Sequence, residues 1–267
     1  MRTMRESLKR IAGKFPPRLQ QRLRRLHYSR QIHSGEFFKA REPEYYRLEE
    51  WVKVGDFVVD VGASIGQYTA RLSMLVGAAG RVLAFEPVPE TFELLTANLA
   101  LVGAANVTLL NAAVSGGSGI VGMSIPKFDT GLNNHWAAFI APAGGHLKVM
   151  SLSLDSLNIP TRVSLVKIDV EGHEFPALMG MRELLKRDHP TLIVEGWAAD
   201  VEALLSGLGY NFEQAPGCWN RVFTFNEARF AQHLNATGST SSDIAVPRDP
   251  SATQFRTGPT PSASLRS

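Results

Sequence analysis

Short apolar runs alternate with longer amphipathic stretches along most of this chain. Residues 57–61 (Phe-Val-Val-Asp-Val) form a β-branched run that predicts a buried strand, and a helical periodicity follows over 68–75. A second strand is predicted over 81–86, a helix over 90–101 and a third strand over 106–110. After a long interval come a strand over 163–168, a helix over 175–186, a strand over 191–195 and a helix over 201–208. Two late strands, near 210–212 and 222–225, can pair as an edge hairpin. Strands separated by helices need crossover connections, so the sheet is expected to be mainly parallel. Near-continuous apolar strands imply that both sheet faces are covered. The expected fold is a doubly wound α/β domain. Right-handed crossovers bring the strand C-terminal ends to one edge, where such sheets bind ligands. Asp60, Glu86, Asn111, Asp169 and Glu195 stand at those ends.

Three segments depart from the alternation. Residues 1–35 carry apolar positions at helical spacing (Leu8, Ile11, Phe15, Leu19, Leu23, Leu26) interrupted by Pro16-Pro17, which predicts two short helices forming an N-terminal arm. Residues 116–157 are too long for a simple connection. They hold two β-like runs, 120–125 and 146–152, around a polar loop over 129–136, and are expected to form a hairpin insertion whose tip leans over the active edge. From Asn235 the chain is rich in Ser, Thr, Pro, Ala and Gly, so 235–267 is expected to be a disordered tail. The body is thus 36–234, entered through an amphipathic helix near 44–51.

Charge changes the picture of the arm. Residues 1–30 hold ten Lys/Arg against one acid, Glu6, whereas the whole chain is only +3, so the body is mildly acidic. The arm reads as a solvated basic helix or as a contact for an anionic membrane surface or acidic partner. No recognised nucleic-acid module accompanies the charge, so no nucleic-acid partner is expected. The single cysteine, Cys218, excludes an internal disulfide and favours a reducing, cytoplasmic setting. No apolar run is long enough to span a bilayer, and no metal site is assigned by Cys/His spacing.

The motif with most chemical content follows the first strand: Asp60-Val61-Gly62-Ala63-Ser64-Ile65-Gly66. Gly62 and Gly66 allow a sharp turn and close approach to a ligand. A pyrophosphate-binding loop would read G-x-G-x-x-G; here the spacing is G-x-x-x-G with an acid before it. A carboxylate at that mouth repels phosphate and suits a cation, which favours the sulfonium and ammonium of S-adenosylmethionine over NAD. Glu86, ending the next strand, can accept hydrogen bonds from both ribose hydroxyls. Asn111 can face the adenine edge.

The run Asp169-Val170-Glu171-Gly172-His173-Glu174 crowds three acids and a histidine at the end of the fourth predicted strand. Crowded like charges raise at least one carboxyl pKa. Asp169, Glu171 and His173 are the candidates for the base that removes a proton from an acceptor hydroxyl. Alternatively Asp169 or Glu171, with Glu195 across from them, holds the acceptor or a divalent cation.

The stretches VVDVGASIGQYT, LAFEPVPETFELLTANL, NVTLLNAAVS, LSLDSL, VSLVKIDVEGHEFPAL and TLIVEG together resemble the FkbM methyltransferases over roughly residues 45–196. The resemblance implies a class I, Rossmann-like methyltransferase fold, S-adenosylmethionine as cofactor, and O-methylation of a hydroxyl on a small molecule, sugar or glycan. It assigns cofactor contacts to Asp60, Gly62, Ala63, Ser64, Gly66 and Glu86. Two other readings remain at this level: a non-catalytic nucleoside-binding module and a nicotinamide-dependent oxidoreductase.

Overall fold

The computed structural model describes residues 13–141, 144–196, 198–215, 218–228 and 230–231. One sheet carries the strands expected from the pattern: β1 (Phe57–Val61), β2 (Arg81–Phe85), β3 (Val107–Leu110), β8 (Val163–Ile168), β9 (Thr191–Glu195), β10 (Tyr210–Glu213) and β11 (Asn220–Phe225). Its order is β10-β11-β9-β8-β1-β2-β3. All neighbours pair in parallel except β11, which is antiparallel to β9 and β10 and forms the edge hairpin. The chain starts in the middle, moves outward to β3, and returns to place β8 on the other side of β1. That reversal puts the switch in strand order between β1 and β8. The register sets Val61 level with Phe85 and Ile168, so three strand ends meet at one height.

Alternate residues of these strands fill two cores. Val59, Val61, Val166, Ile168 and Val194 pack on one face, with Leu178 of α5 (Glu174–Met179), Leu184 and Leu185 of α6 (Arg182–Asp188), and Leu204 of α7 (Ala199–Gly207). Val58, Val82, Leu165 and Ile193 pack on the other, with Leu72 and Val76 of α3 (Gln67–Val76) and Leu48 of α2 (Leu48–Trp51). Each fully buried aliphatic side chain stabilises the fold by about 1.5–3 kcal/mol. Ala84 and, from α4 (Pro89–Val102), Leu94, Leu95 and Leu99 complete the second side.

Four expectations change. The helix expected over 175–186 breaks at Gly180 into α5 and α6: the Gly180 carbonyl accepts from the Asp155 N–H and the Ser153 hydroxyl, at 2.9 and 2.8 Å, and the Asp155 carboxylate accepts the Glu183 and Leu184 N–H groups at the start of α6. The helix expected near 44–51 is a 3-10 segment, Pro43–Arg47, followed by the single turn of α2. The insertion is larger than a hairpin: β5 (Gly119–Ser124) and β7 (Leu147–Leu152) pair antiparallel, and β4 (Ala113–Val114) and β6 (Phe139–Ile140) extend them to a four-stranded sheet. Finally, the second half of the arm is part of the domain. Helix α1 (Pro17–His33) starts at Pro17, whose missing N–H costs nothing at a first turn. Its Tyr28 and Ile32 pack against the α4 side of the core. The expected helix around Leu8 and Ile11 and the expected tail over 235–267 lie outside the described residues.

Candidate active site

A cavity of about 630 Å³ opens at the C-terminal edge of the sheet, beside the β1/β8 switch. Its floor is the turn after β1. The Gly62 and Ala63 N–H groups both donate to the Phe85 carbonyl, at 3.0 and 2.8 Å, which holds the turn against β2. Gly62 has φ +79°, and a Cβ there would lie 1.8 Å from the Asp169 carbonyl oxygen. Gly66 has φ +91°, and a Cβ would meet Leu95 at 2.6 Å. Both glycines are therefore required by internal packing: Gly62 lets β1 and β8 close together, and Gly66 lets α3 seat on α4. Gly62, Ala63 and Ser64 line the cavity; Gly66 does not.

Glu86 stands over this turn, nearly buried, on the cavity wall. One carboxylate oxygen accepts the Ser64 N–H and the other the Val88 N–H, both at 2.9 Å. Each oxygen keeps a lone pair for a further donor. Burial pushes the Glu86 carboxyl up to about 7, and the two backbone donors only partly offset it. A buried carboxyl with its orientation locked and acceptor capacity left over is suited to a vicinal diol.

Asp60 is not where the sequence reading put it. It is 0% exposed and does not line the cavity. Oδ2 accepts the Thr69 hydroxyl at 2.6 Å, and Oδ1 has no hydrogen-bond partner. Burial raises its pKa against the opposing pull of Lys167 and Thr69. β1 alternates faces, which sends this side chain to Thr69 of α3 and off the cavity surface. Asn111 is also structural: its amide donates to the Glu86 and Pro87 carbonyls at 2.8 and 3.1 Å, on an exposed turn outside the cavity.

The opposite wall comes from the end of β8. Lys167 is 3% exposed, with its ammonium 2.9 Å from Asp169 Oδ2 and 4.7 Å from the Tyr68 ring centre. Burial works against its charge, but Asp169 and Asp60 outweigh it and raise its pKa. Asp169, one-third exposed, feels the reverse: burial is outweighed by Lys167 and by a hydrogen bond with Glu195, so its pKa falls. Glu195 is pushed up to about 9 by that hydrogen bond first and by burial second. Lys167 beside Asp169 thus favours the charged form there, and Glu195 is the more readily protonated of the two.

Glu171 and His173 also line the cavity. Glu171 sits at φ +51°, and burial and the acids around it raise its pKa. His173 Nε2 is 2.9 Å from the Ser115 hydroxyl. Glu174 turns back to accept the Gly172 N–H at 3.0 Å, which closes the first turn of α5. Asp169, Glu171 and Glu195 each present an oxygen within 4.8 Å of one another, the spacing of a candidate cation site.

Several wall residues escaped the sequence reading. Glu44 is buried and accepts from Tyr68 at 2.8 Å, from the Cys218 thiol at 3.2 Å and from Asn220. This network fastens the segment before the domain to α3 and β11, and Tyr68, Cys218 and Asn220 form part of the cavity wall. Trp219, 78% exposed, and Trp136, 55% exposed, flank the opening. His135 also lines the cavity; burial first, then the Arg24 charge, pushes it down to about 4, so it is neutral at physiological pH. The insertion loop thus lines the cavity through His135 and Trp136. Lys167 carried a signal in the sequence: a lysine inside an apolar strand needs a partner.

The residues fit S-adenosylmethionine. A locked acid faces a cavity of ligand size, and acids outnumber bases on its walls, which suits a sulfonium with an ammonium group. The sheet order and this edge cavity define a Rossmann-like class I methyltransferase fold. Residues 60–212, more than half of the chain, match the Methyltransferase FkbM domain, and the chain belongs to that family. It is 31% identical over 143 residues to the hexuronic acid methyltransferase AglP of Haloferax volcanii, covering 52% of this chain and 55% of that one. It thus spans little more than half the length of that relative. It is 26% identical over 200 residues to the methyltransferase sdnD of Sordaria araneosa, covering 61% of this chain and 76% of the other. Among solved structures it is similar to a methyltransferase FkbM from Methylobacillus flagellatus KT, with 20% identity, a TM-score of 0.47, and coverage of 69% of this chain and 50% of that one.

Proposed function

We propose that this protein binds S-adenosylmethionine in the edge cavity and transfers its methyl group to a hydroxyl oxygen of a sugar or other small molecule. The observation that carries the reading is Glu86, held by the Ser64 and Val88 N–H groups with one lone pair per oxygen still available. When bound, the cofactor supplies an electrophilic methyl on a positively charged sulfur. Glu86 and the 62–64 turn hold the nucleoside end. The acidic wall favours the cationic end. Asp169 would accept the hydrogen bond of the acceptor hydroxyl and take its proton as the C–O bond forms and the methyl–sulfur bond breaks, with S-adenosylhomocysteine as the leaving group. A low carboxylate pKa is no obstacle, because the hydroxyl becomes a strong acid once its oxygen begins to bond carbon. Lys167 and Glu195 fix the Asp169 carboxylate in place, and orientation supplies much of the rate. Trp136 and Trp219 offer flat apolar faces at the opening, which suit the C–H faces of a sugar ring. A relative named for a hexuronic acid supports a sugar acceptor, without naming which sugar.

The test has two stages. Thermal unfolding is measured with S-adenosylmethionine, S-adenosylhomocysteine and NAD; the first two should raise the midpoint and NAD should not. Methyl-labelled cofactor is then supplied with neutral and uronic-acid-containing glycans. Stabilisation by NAD alone rejects the cofactor assignment. Cofactor binding with no transfer to any hydroxylated acceptor rejects the catalytic one.

A further inference from the structure

Helix α1 turns its leucines away from the protein. Its inward side is mostly polar: Gln21 donates to the Glu90 carbonyl at 2.6 Å, Arg25 pairs with Glu93, and Arg24 reaches the Asn133 carbonyl at 3.4 Å. These contacts, with Tyr28 and Ile32, fix the helix's rotation. Leu19, Leu23 and Leu26 then point outward, 39%, 41% and 57% exposed, and their spacing aligns them on one face. Phe15, just before the helix, is 36% exposed. Arg18, Arg22 and Arg30 are exposed on the same outer side, and α1 contains no acidic residue at all.

We infer that this face docks on an anionic lipid bilayer, with the leucines inserted at the headgroup boundary and the arginines on the lipid phosphates. Apolar residues bordered by cations, without intervening acids, are what an interfacial helix requires. A purely electrostatic partner would leave the leucines unexplained, and a purely apolar one would leave the arginines unpaired. Further basic residues precede the helix in sequence (Arg2, Arg5, Lys9, Arg10, Lys14) and add to the same attraction. The contact has a consequence for orientation. Gly13 lies against the backbone of Thr130, and Arg24 against that of Asn133, in the loop that carries His135 and Trp136 to the cavity. A bilayer bound by α1 therefore lies beside the cavity's insertion wall.

The experiment is co-sedimentation of the full chain with vesicles of phosphatidylcholine alone or mixed with phosphatidylglycerol. Binding is expected only to the mixed vesicles, falling with added salt. Combined Leu19→Ser, Leu23→Ser and Leu26→Ser should weaken it by tenfold or more, by loss of about 1.5 kcal/mol or more of apolar burial. Arg18→Ser, Arg22→Ser and Arg30→Ser should each weaken it roughly fivefold. All six positions face solvent, so an unchanged unfolding midpoint confirms that the fold is intact. Absence of binding by the parent chain, or binding unaffected by the leucine substitutions, overturns the inference. So does self-association that the leucine variant abolishes in the absence of vesicle binding, because a second copy then covers the stripe.

Discussion

The Lys167 ammonium and the Asp169 carboxylate meet at 2.9 Å at the end of β8, a strand whose other residues are aliphatic except Ser164. The pair biases charge within the cavity: Lys167 lowers the pKa of Asp169, while Asp169 and burial raise that of Glu195.

This division makes two acids in contact behave differently. Glu195→Gln keeps the side chain's shape and leaves a donor beside Asp169, and kcat should stay within about threefold of the parent. Asp169→Asn removes the proton acceptor and should lower kcat by roughly 10²-fold or more with little change in cofactor Kd. Equal effects of the two substitutions would reject the assignment. Steady-state kinetics and calorimetric titration make the comparison.

Lys167→Met leaves Asp60 and Asp169 without their buried counter-charge. Breaking a buried pair on one side costs about 3–5 kcal/mol. The unfolding midpoint should fall by several degrees at neutral pH, and part of the loss should be recovered in Lys167→Met combined with Asp60→Asn.

Glu86 titrates near neutrality. Its carboxyl has a raised pKa of about 7 in the folded protein against an ordinary value of 4.5. The folded state therefore binds the proton more tightly, and this group lowers stability progressively as pH rises from about 4.5 to about 7, with the cost complete above 7. Ribose hydroxyls donate best to the ionised form. Cofactor affinity should accordingly increase as pH rises through about 7 and then level off. Calorimetry across this interval should show the rise in the parent chain and a flat, weaker profile in Glu86→Gln.

The two glycines of the first turn should not tolerate alanine equally. At Gly62 the added Cβ meets backbone, the Asp169 carbonyl, at 1.8 Å; at Gly66 it meets the end of a leucine side chain at 2.6 Å, which can move. Both also have positive φ. Gly66→Ala should cost about 1–3 kcal/mol, and Gly62→Ala more than that, to the point of preventing folding. Denaturant unfolding and soluble yield measure both.

The arm should divide at its first described residues. Removal of 1–12 should leave cofactor affinity and the unfolding midpoint unchanged. Removal of 1–33 should lower the midpoint by several degrees, because it uncovers the α4 side where Tyr28 and Ile32 pack. Differential scanning calorimetry separates the two.

Much of the fold was legible in the sequence. Strands β1, β8 and β9 run as the apolar pattern predicts, and the helices over 67–76 and 89–102 lie within a residue of expectation. Periodicity and β-branched runs are local properties, and a local pattern suffices to specify an element. The break of the helix at Gly180 was not legible, because Ser153 and Asp155, which bond to the interrupted turn, lie far away along the chain. The four-stranded insertion was undercounted for a similar reason: β4 and β6 are two residues each and exist only through their partners.

The chain's own order of residues thus determined the alternation of strands and helices, the edge at which their polar ends gather, and the acids available there. Only the tertiary structure decided what each acid does. It sent the Asp60 side chain off the cavity surface and set Glu86 on the cavity wall, placed Asp169 beside Lys167 and Glu195, and rotated α1 so that its leucines face outward. Charge state and direction depend on what packs within a few ångströms, and those neighbours come from distant parts of the chain.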